Sequence, residues 1–301
     1  MQMTPLGKTG LTVSRLGAGL ARIGYELKLT DIKEAGQVLN AALDDGINFL
    51  DTAACYDISE ELVGHTVAHR RDEYILATKC GHVTNGASGK PWSAQTIQDS
   101  IDRSLERMRT DHLDLVQLHS CDGDILKRGE AVEALLEAKR AGKTRFVGYS
   151  GDNEPALWAV ESGIFDTLQT SFNIVDQQAR IKLFGPAQSK GMGIIIKRPV
   201  ANGAWGVKRS PYEYADEYFS RAQVVDGMGP VLQGPDDRML AAMGFVLAHR
   251  EVDTAIVGTR NPSHMRGNVN LVESKLPVSA EFVKELHRRF DMVGGQWAQL
   301  M

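Results

Sequence analysis

The chain has 301 residues, 43% of them hydrophobic and 24% charged, which is enough apolar mass for a large core and excludes disordered, collagen-like and coiled-coil architectures. Its 34 basic and 38 acidic residues leave a net charge of -4, so no broad basic field is available to hold nucleic acid or an anionic membrane. Three scattered cysteines, Cys55, Cys80 and Cys121, suggest no disulfide framework, and with no long apolar run and a polar start the expectation is a cytoplasmic protein.

Met3 to Val13 sets Gly7-Lys8-Thr9-Gly10 between apolar residues and predicts a β-hairpin. Eight short apolar runs follow at the spacing of βα units: Val13 to Gly17, Ile47 to Asp51, Tyr74 to Lys79, Leu113 to His119, Arg145 to Tyr149, Thr167 to Ser171, Gly193 to Lys197 and Thr254 to Val257. Several are apolar on successive residues, as in Ile194, Ile195 and Ile196, which fits parallel strands buried on both faces. Between them lie stretches of helical period. Asp31 and Glu34 predict a capping box before Ala35 to Leu43, with Gly46 as the stop. Ser93 predicts a second helix start, carrying Ile97, Ile101, Leu105 and Met108 on one stripe, and Asn153 with Pro155 predicts a third that ends at Gly163. Eight alternations without a break in composition predict one (β/α)8 barrel domain over residues 1–301, not two linked domains. The long Ala201 to Asp237 segment after the seventh strand holds Trp205, Tyr212, Tyr214, Tyr218 and Phe219, which suits a functional loop.

Barrels of this kind carry their chemistry at the carboxyl ends of the strands, so the polar residues that end each apolar run are the candidates. They include Asp51 and Tyr56 after the second strand, Lys79 after the third, His119 after the fourth, Ser150, Gln169, and Lys197 with Arg198. A phenol is a poor acid near neutrality unless a cation favours its phenolate, which Lys79 can do for Tyr56. A buried Lys79 needs a counter-ion, and Asp51 is placed to supply one. His119 can donate to a substrate oxygen. Together these four suit protonation of a carbonyl oxygen as hydride reaches the carbon.

Asp51-Thr-Ala-x-x-Tyr56, Ala-Thr-Lys79-Cys, Asp114-Leu-Val-Gln-Leu-His119 and the run beginning Glu60-Glu-Leu-Val-Gly resemble the aldo-keto reductase superfamily over nearly the whole chain. The resemblance implies a (β/α)8 barrel that binds NADP(H) in extended form without a Rossmann fold, with Asp51, Tyr56, Lys79 and His119 as its catalytic tetrad. By the same resemblance Ser150 and Gln169 hold the nicotinamide amide, although the Asn that follows the family's Ser is missing and Asp152 or Asn153 stands nearby. Lys197, with Arg198 beside it, replaces the aromatic residue that stacks on nicotinamide. After the eighth strand Thr259 and Arg260 are expected at the adenosine 2'-phosphate and Asn268 at the adenine, with His264 where the family usually carries Gln. The helix start after Arg260 would also offer backbone donors to an anion. These features favour NADP over NAD.

Gly17-Ala-Gly19-Leu-Ala-Arg22 begins like a dinucleotide fingerprint, but Arg22 occupies the third glycine position, so Gly19 instead suits a main-chain approach to nicotinamide. His65 and His69 lack the Glu of a zinc protease motif, and no metal site is expected. The reading is an NADP(H)-dependent oxidoreductase acting on a small aldehyde, ketone, alcohol or sugar. Two alternatives are a Schiff-base lyase using Lys79 or Lys197, and an NADP-holding regulatory subunit such as the channel β-subunits of this superfamily. The short segment Cys121 to Gly129 suggests an open pocket, walled by Ala201 to Asp237 and Trp297.

Overall fold

The computed structural model describes residues 1–84 and 87–300. An antiparallel hairpin of β1 (Met3–Pro5) and β2 (Thr12–Ser14) precedes eight parallel strands. These are β3 (Leu16–Gly19), β4 (Phe49–Asp51), β5 (Ile75–Cys80), β6 (Leu113–His119), β7 (Thr144–Ser150), β8 (Thr167–Ser171), β9 (Gly193–Lys197) and β10 (Thr254–Val257). Each pairs with its sequence neighbours, and β10 closes the barrel between β9 and β3. Val13 belongs to the hairpin, paired with Thr4, and does not open the first barrel strand. Arg15 separates the two, and Ser14 pins the end of the hairpin, donating its hydroxyl to Leu16 O and its N–H to Asn48 Oδ1.

Two apolar layers result. The larger fills the space between the sheet and the surrounding helices. The smaller lies inside the barrel, where Phe49, Ile75, Ala77, Leu115, Ile195 and Ile256 meet Leu6, Leu11 and Val13 of the hairpin. The hairpin is therefore the floor of the barrel. Alternate residues of a strand face the same side, so two positions beyond this floor the inward residues become Asp51, Lys79, Gln117 and Lys197.

Local signals succeed and fail for identifiable reasons. Ser93 caps the Ala94–Met108 helix through the Thr96 N–H. Asp31 makes no cap hydrogen bond to its helix, because its carboxylate accepts instead from the Lys28 N–H three residues back. Asn153 lies in the left-handed region at φ 58 and bonds to Gln299, so Asp152 takes the N-cap position of the Asn153–Ser162 helix. The segment after β9 is no bare loop. It contains the Asp216–Asp226 helix and buries Trp205 and Tyr218, while Tyr212 and Tyr214 stay exposed. The Ser59–Thr66 helix ends before His69, so His65 and His69 do not share a helix face. Among the described residues no helix is long and apolar enough to cross a membrane.

Candidate active site

The inward register of three strands, β4, β5 and β6, brings Asp51, Lys79 and His119 together at the carboxyl end of the barrel, with Tyr56 on the turn that follows β4. Lys79 Nζ donates to Asp51 Oδ2 at 2.6 Å and to Thr52 O at 2.9 Å, and both charged side chains are buried. The same ammonium lies 4.9 Å from the centre of the Tyr56 ring. Burial alone would discharge Lys79, but Asp51 and Tyr56 outweigh it and hold the ammonium above its ordinary pKa. For Tyr56 the balance runs the other way. Burial pushes the phenol up and Lys79 pulls it back only part of the way, so its pKa is raised where the sequence alone pointed to a lowering.

His119 meets Tyr56 edge-on at 5.7 Å and His82 at 5.1 Å between ring centres. Burial, followed by the charges of Lys79, His82, Lys197 and Arg198, holds it well below its ordinary pKa and therefore neutral. Trp92 continues this wall against His82 at 4.9 Å. It reaches that place because Gly81 has φ +116 and no Cβ, which would otherwise sit 1.8 Å from the indole. On the other side Tyr25 stands 5.7 Å from Tyr56 and donates its hydroxyl to Cys55 O. The Cys55 thiol lies 3.3 Å from His119 Nδ1. Cys80 and Cys121 are buried, and burial pushes both thiols up.

The residues expected at the cofactor fall into four groups. Ser150 and Gln169 are register partners on β7 and β8, joined by a 2.8 Å hydrogen bond from Ser150 Oγ to Gln169 Oε1. Gln169 Nε2 then donates to Asp51 Oδ1 at 2.8 Å, which couples this pair to Asp51 and Lys79 across the barrel. Gly19 is the register partner of Asp51, and a Cβ built on it would meet nothing closer than 3.7 Å. A side chain here would make only ordinary van der Waals contact with the end of β10. Thr259 and Arg260 precede the Pro262–Lys275 helix, which carries His264 and Asn268 one turn apart. The free backbone donors expected at this start are already engaged. Thr259 Oγ1 accepts from the Asn261 N–H and Asn261 Oδ1 from the Ser263 N–H, while the half-exposed Arg260 guanidinium lies 3.4 Å from Glu26.

Lys197 and Arg198 behave differently from a stacking aromatic. Lys197 Nζ forms a 2.7 Å ion pair with the buried Asp152. Burial opposes the carboxylate, yet Lys197 and the Ser171 N–H hold Asp152 below the usual range. Asp152 and Asn153 are thus both committed to protein partners, and neither stands free as the missing amide. Arg198, at φ 56, bonds to Ser171, Tyr214 and Leu300 O. Beyond Trp297, sequence reading missed how the chain end is seated. Gln299 reaches Thr170 and Ser171 at 2.9 Å each, and Leu300 N donates to Asp176 at 3.1 Å. No local pattern marks these contacts, since their partners lie more than a hundred residues away.

The hydroxyl and amide of Ser150 and Gln169 beside the Lys–Asp centre and an exposed guanidinium beyond β10 form a polar set that fits a nicotinamide dinucleotide. The closed ring of eight parallel strands places the chain among the TIM barrels. The chain matches the model of the aldo/keto reductase family over residues 15–288 and belongs to that family, whose members are generally NAD(P)H-dependent carbonyl reductases. It is 30% identical to the L-galactose dehydrogenase of Arabidopsis thaliana over 90% of this chain and 88% of that protein. It is 28% identical to the oxidoreductase YrpG of Bacillus subtilis over 98% of both. The holo form of the aldo-keto reductase AKR11C1 from Bacillus halodurans superposes with a TM-score of 0.80, 28% identity and 96% coverage of each chain.

Proposed function

We propose that this chain interconverts a small carbonyl compound and its alcohol with a nicotinamide cofactor, NADP(H) in preference to NAD(H), using Tyr56 as general acid and base. The observation that carries this is the buried Asp51–Lys79 pair at 2.6 Å, set directly beneath Tyr56 and beside a neutral His119. Tyr56 gives its proton to the substrate oxygen in reduction and takes it back in oxidation. Lys79 stabilises the phenolate left behind, and Asp51 keeps Lys79 charged in a site that would otherwise neutralise it. The free Nε2 of His119 steers the oxygen toward the Tyr56 hydroxyl. A bound nicotinamide supplies or accepts the hydride at the neighbouring carbon. Ser150 and Gln169 suit its amide, and Arg260 suits a phosphate on its ribose.

Exposed tyrosines at the mouth, Tyr25, Tyr212 and Tyr214, suit a polyhydroxylated substrate that presents both apolar faces and hydroxyls. The likeness to an L-galactose dehydrogenase makes aldoses the first compounds to assay. The test follows NADPH and NADH oxidation with aldehydes, ketones and sugars, and the reverse reaction with alcohols, for the wild type and Tyr56→Phe. Turnover that vanishes in the Phe variant while cofactor fluorescence titration is unchanged supports the assignment. A Phe variant that turns over at the wild-type rate removes Tyr56 from it.

A further inference from the structure

We propose that Cys55 is a positioning residue for His119: its thiol donates to Nδ1 and so fixes the imidazole with its proton on Nε2, the nitrogen that faces the substrate. This rests on the reading of His119 as donor to the substrate oxygen.

The geometry comes first. Cys55 Sγ lies 3.3 Å from His119 Nδ1, and no other described residue bonds to that ring, so Nε2 is left toward the pocket. A neutral imidazole has one N–H and one lone pair, and the partner at one nitrogen decides what the other presents. The groups facing the ring all oppose a positive charge on it: Lys79 from β5, His82 just beyond β5, and Lys197 and Arg198 from the end of β9, with the neutral Tyr56 at its edge. The ring is therefore neutral. Burial pushes the Cys55 thiol up, although Lys79 pulls the other way, so the sulfur keeps its proton.

Two neutral groups at this distance admit two arrangements, S–H to Nδ1 or Nδ1–H to sulfur. Thiol sulfur is a weak acceptor and the imidazole lone pair a strong one, so the thiol donates. The choice has a chemical consequence. With the proton on Nε2 the ring offers a donor to a carbonyl oxygen. With the proton on Nδ1 it offers a lone pair, which repels that oxygen. The backbone of Cys55 is itself fixed, since Tyr25 donates to its carbonyl at 3.1 Å and Tyr56 N closes a turn onto Ala53 O at 3.0 Å.

The test uses 15N-histidine NMR on the full chain with NADP+ present, with His119 assigned among the eight histidines by its loss in a His119→Asn variant. Wild type and Cys55→Ser are expected to show the Nε2–H tautomer, and Cys55→Ala a mixture or the Nδ1–H form. In kinetics Cys55→Ala is expected to lose roughly three- to tenfold in kcat/KM, with Cys55→Ser restoring most of it. Ala and Ser differ little in volume, so a packing role would not separate them. An Nδ1–H tautomer in the wild type, or an unchanged Nε2–H tautomer in Cys55→Ala, overturns the proposal. A tautomer that shifts in Cys55→Ala without any change in kcat/KM upholds the role of Cys55 and overturns the role of His119 in turnover.

Discussion

The floor and the mouth of the barrel are built by the same strands, from inward positions only two residues apart. At the floor Phe49, Ile75, Leu115 and Ile195 pack against the hairpin residues Leu6, Leu11 and Val13. At the mouth the next inward residues, Asp51, Lys79, Gln117 and Lys197, form a hydrogen-bonded and ion-paired layer. Two residues along a strand span about 6.5 Å, so the change from dry packing to charge is abrupt. The difference shows how a closed barrel keeps stability and chemistry apart. The hairpin seals the floor against water, and Lys79 and Lys197, which would be costly in such a core, are given Asp51 and Asp152 as counter-ions.

Editing one end and measuring the other breaks this comparison most directly. Tyr56→Phe at the mouth is expected to cost about 10²- to 10⁴-fold in kcat/KM, with the thermal midpoint unchanged, because only the proton donor is lost. Phe49→Ala at the floor is expected to cost about 3–5 kcal/mol in urea unfolding, since a fully buried ring leaves a cavity. The turnover number of the protein that remains folded should stay within severalfold of wild type. A folded Phe49→Ala variant without turnover would show that the floor shapes the chemistry and that the two layers are not separate.

Legibility follows the same division. The strand ends could be read because apolar runs stop at Asp51, Lys79 and His119, and the barrel turns that linear pattern into one site. Lys197 and the absent amide after Ser150 looked like two independent departures from the family pattern. In three dimensions Lys197 and Asp152 neutralise each other at 2.7 Å, a pairing that needs β7 and β9 to be placed first. The Cys55–His119 contact and the seat of Gln299 and Leu300 are likewise products of closure, with partners 64 to 146 residues away in sequence. The direction of the Tyr56 shift was also beyond the sequence, because it depends on how deeply the phenol is desolvated relative to its distance from Lys79.

Not every charge at the mouth has a full set of partners, and this sharpens the comparison. Asp176 is buried, its Oδ2 accepts from Leu300 N at 3.1 Å, and its Oδ1 has no partner among the described residues. Burial, only partly offset by the Leu300 N–H, pushes its carboxyl up to about 7. The folded pKa lies above the unfolded one, so the native state holds the proton more tightly. That contribution is fully present below about pH 4 and is lost as pH rises through about 7. Between pH 5 and pH 8 the wild type should lose roughly 2–3 kcal/mol from this group, and Asp176→Asn should flatten that part of the profile. Urea unfolding of both proteins at the two pH values checks it. Parallel profiles would mean that Asp176 stays ionised in the folded protein.

The smallest effect is expected outside the barrel, where Arg260 contrasts with the buried cations. Its side chain is 54% exposed, and its Nε lies 3.4 Å from Glu26 Oε2, on a carboxylate shared with Arg22 at 3.1 Å. Lys79 cannot leave Asp51 without stranding a buried charge, but an exposed pair of this kind contributes little, so Arg260 can exchange Glu26 for a phosphate. A charge-assisted contact to the 2'-phosphate of NADPH is worth roughly 1.5–3 kcal/mol, or about ten- to a hundredfold in affinity. Arg260→Ala should therefore weaken NADPH by about that factor and leave NADH, which lacks the phosphate, almost untouched. Glu26→Gln should move NADPH slightly the other way, because it removes the competing carboxylate. Fluorescence titration of both cofactors against the three proteins decides the matter. Equal losses for NADPH and NADH in Arg260→Ala would assign the guanidinium to a feature the two cofactors share, such as the pyrophosphate, and the preference for NADP would fall with it.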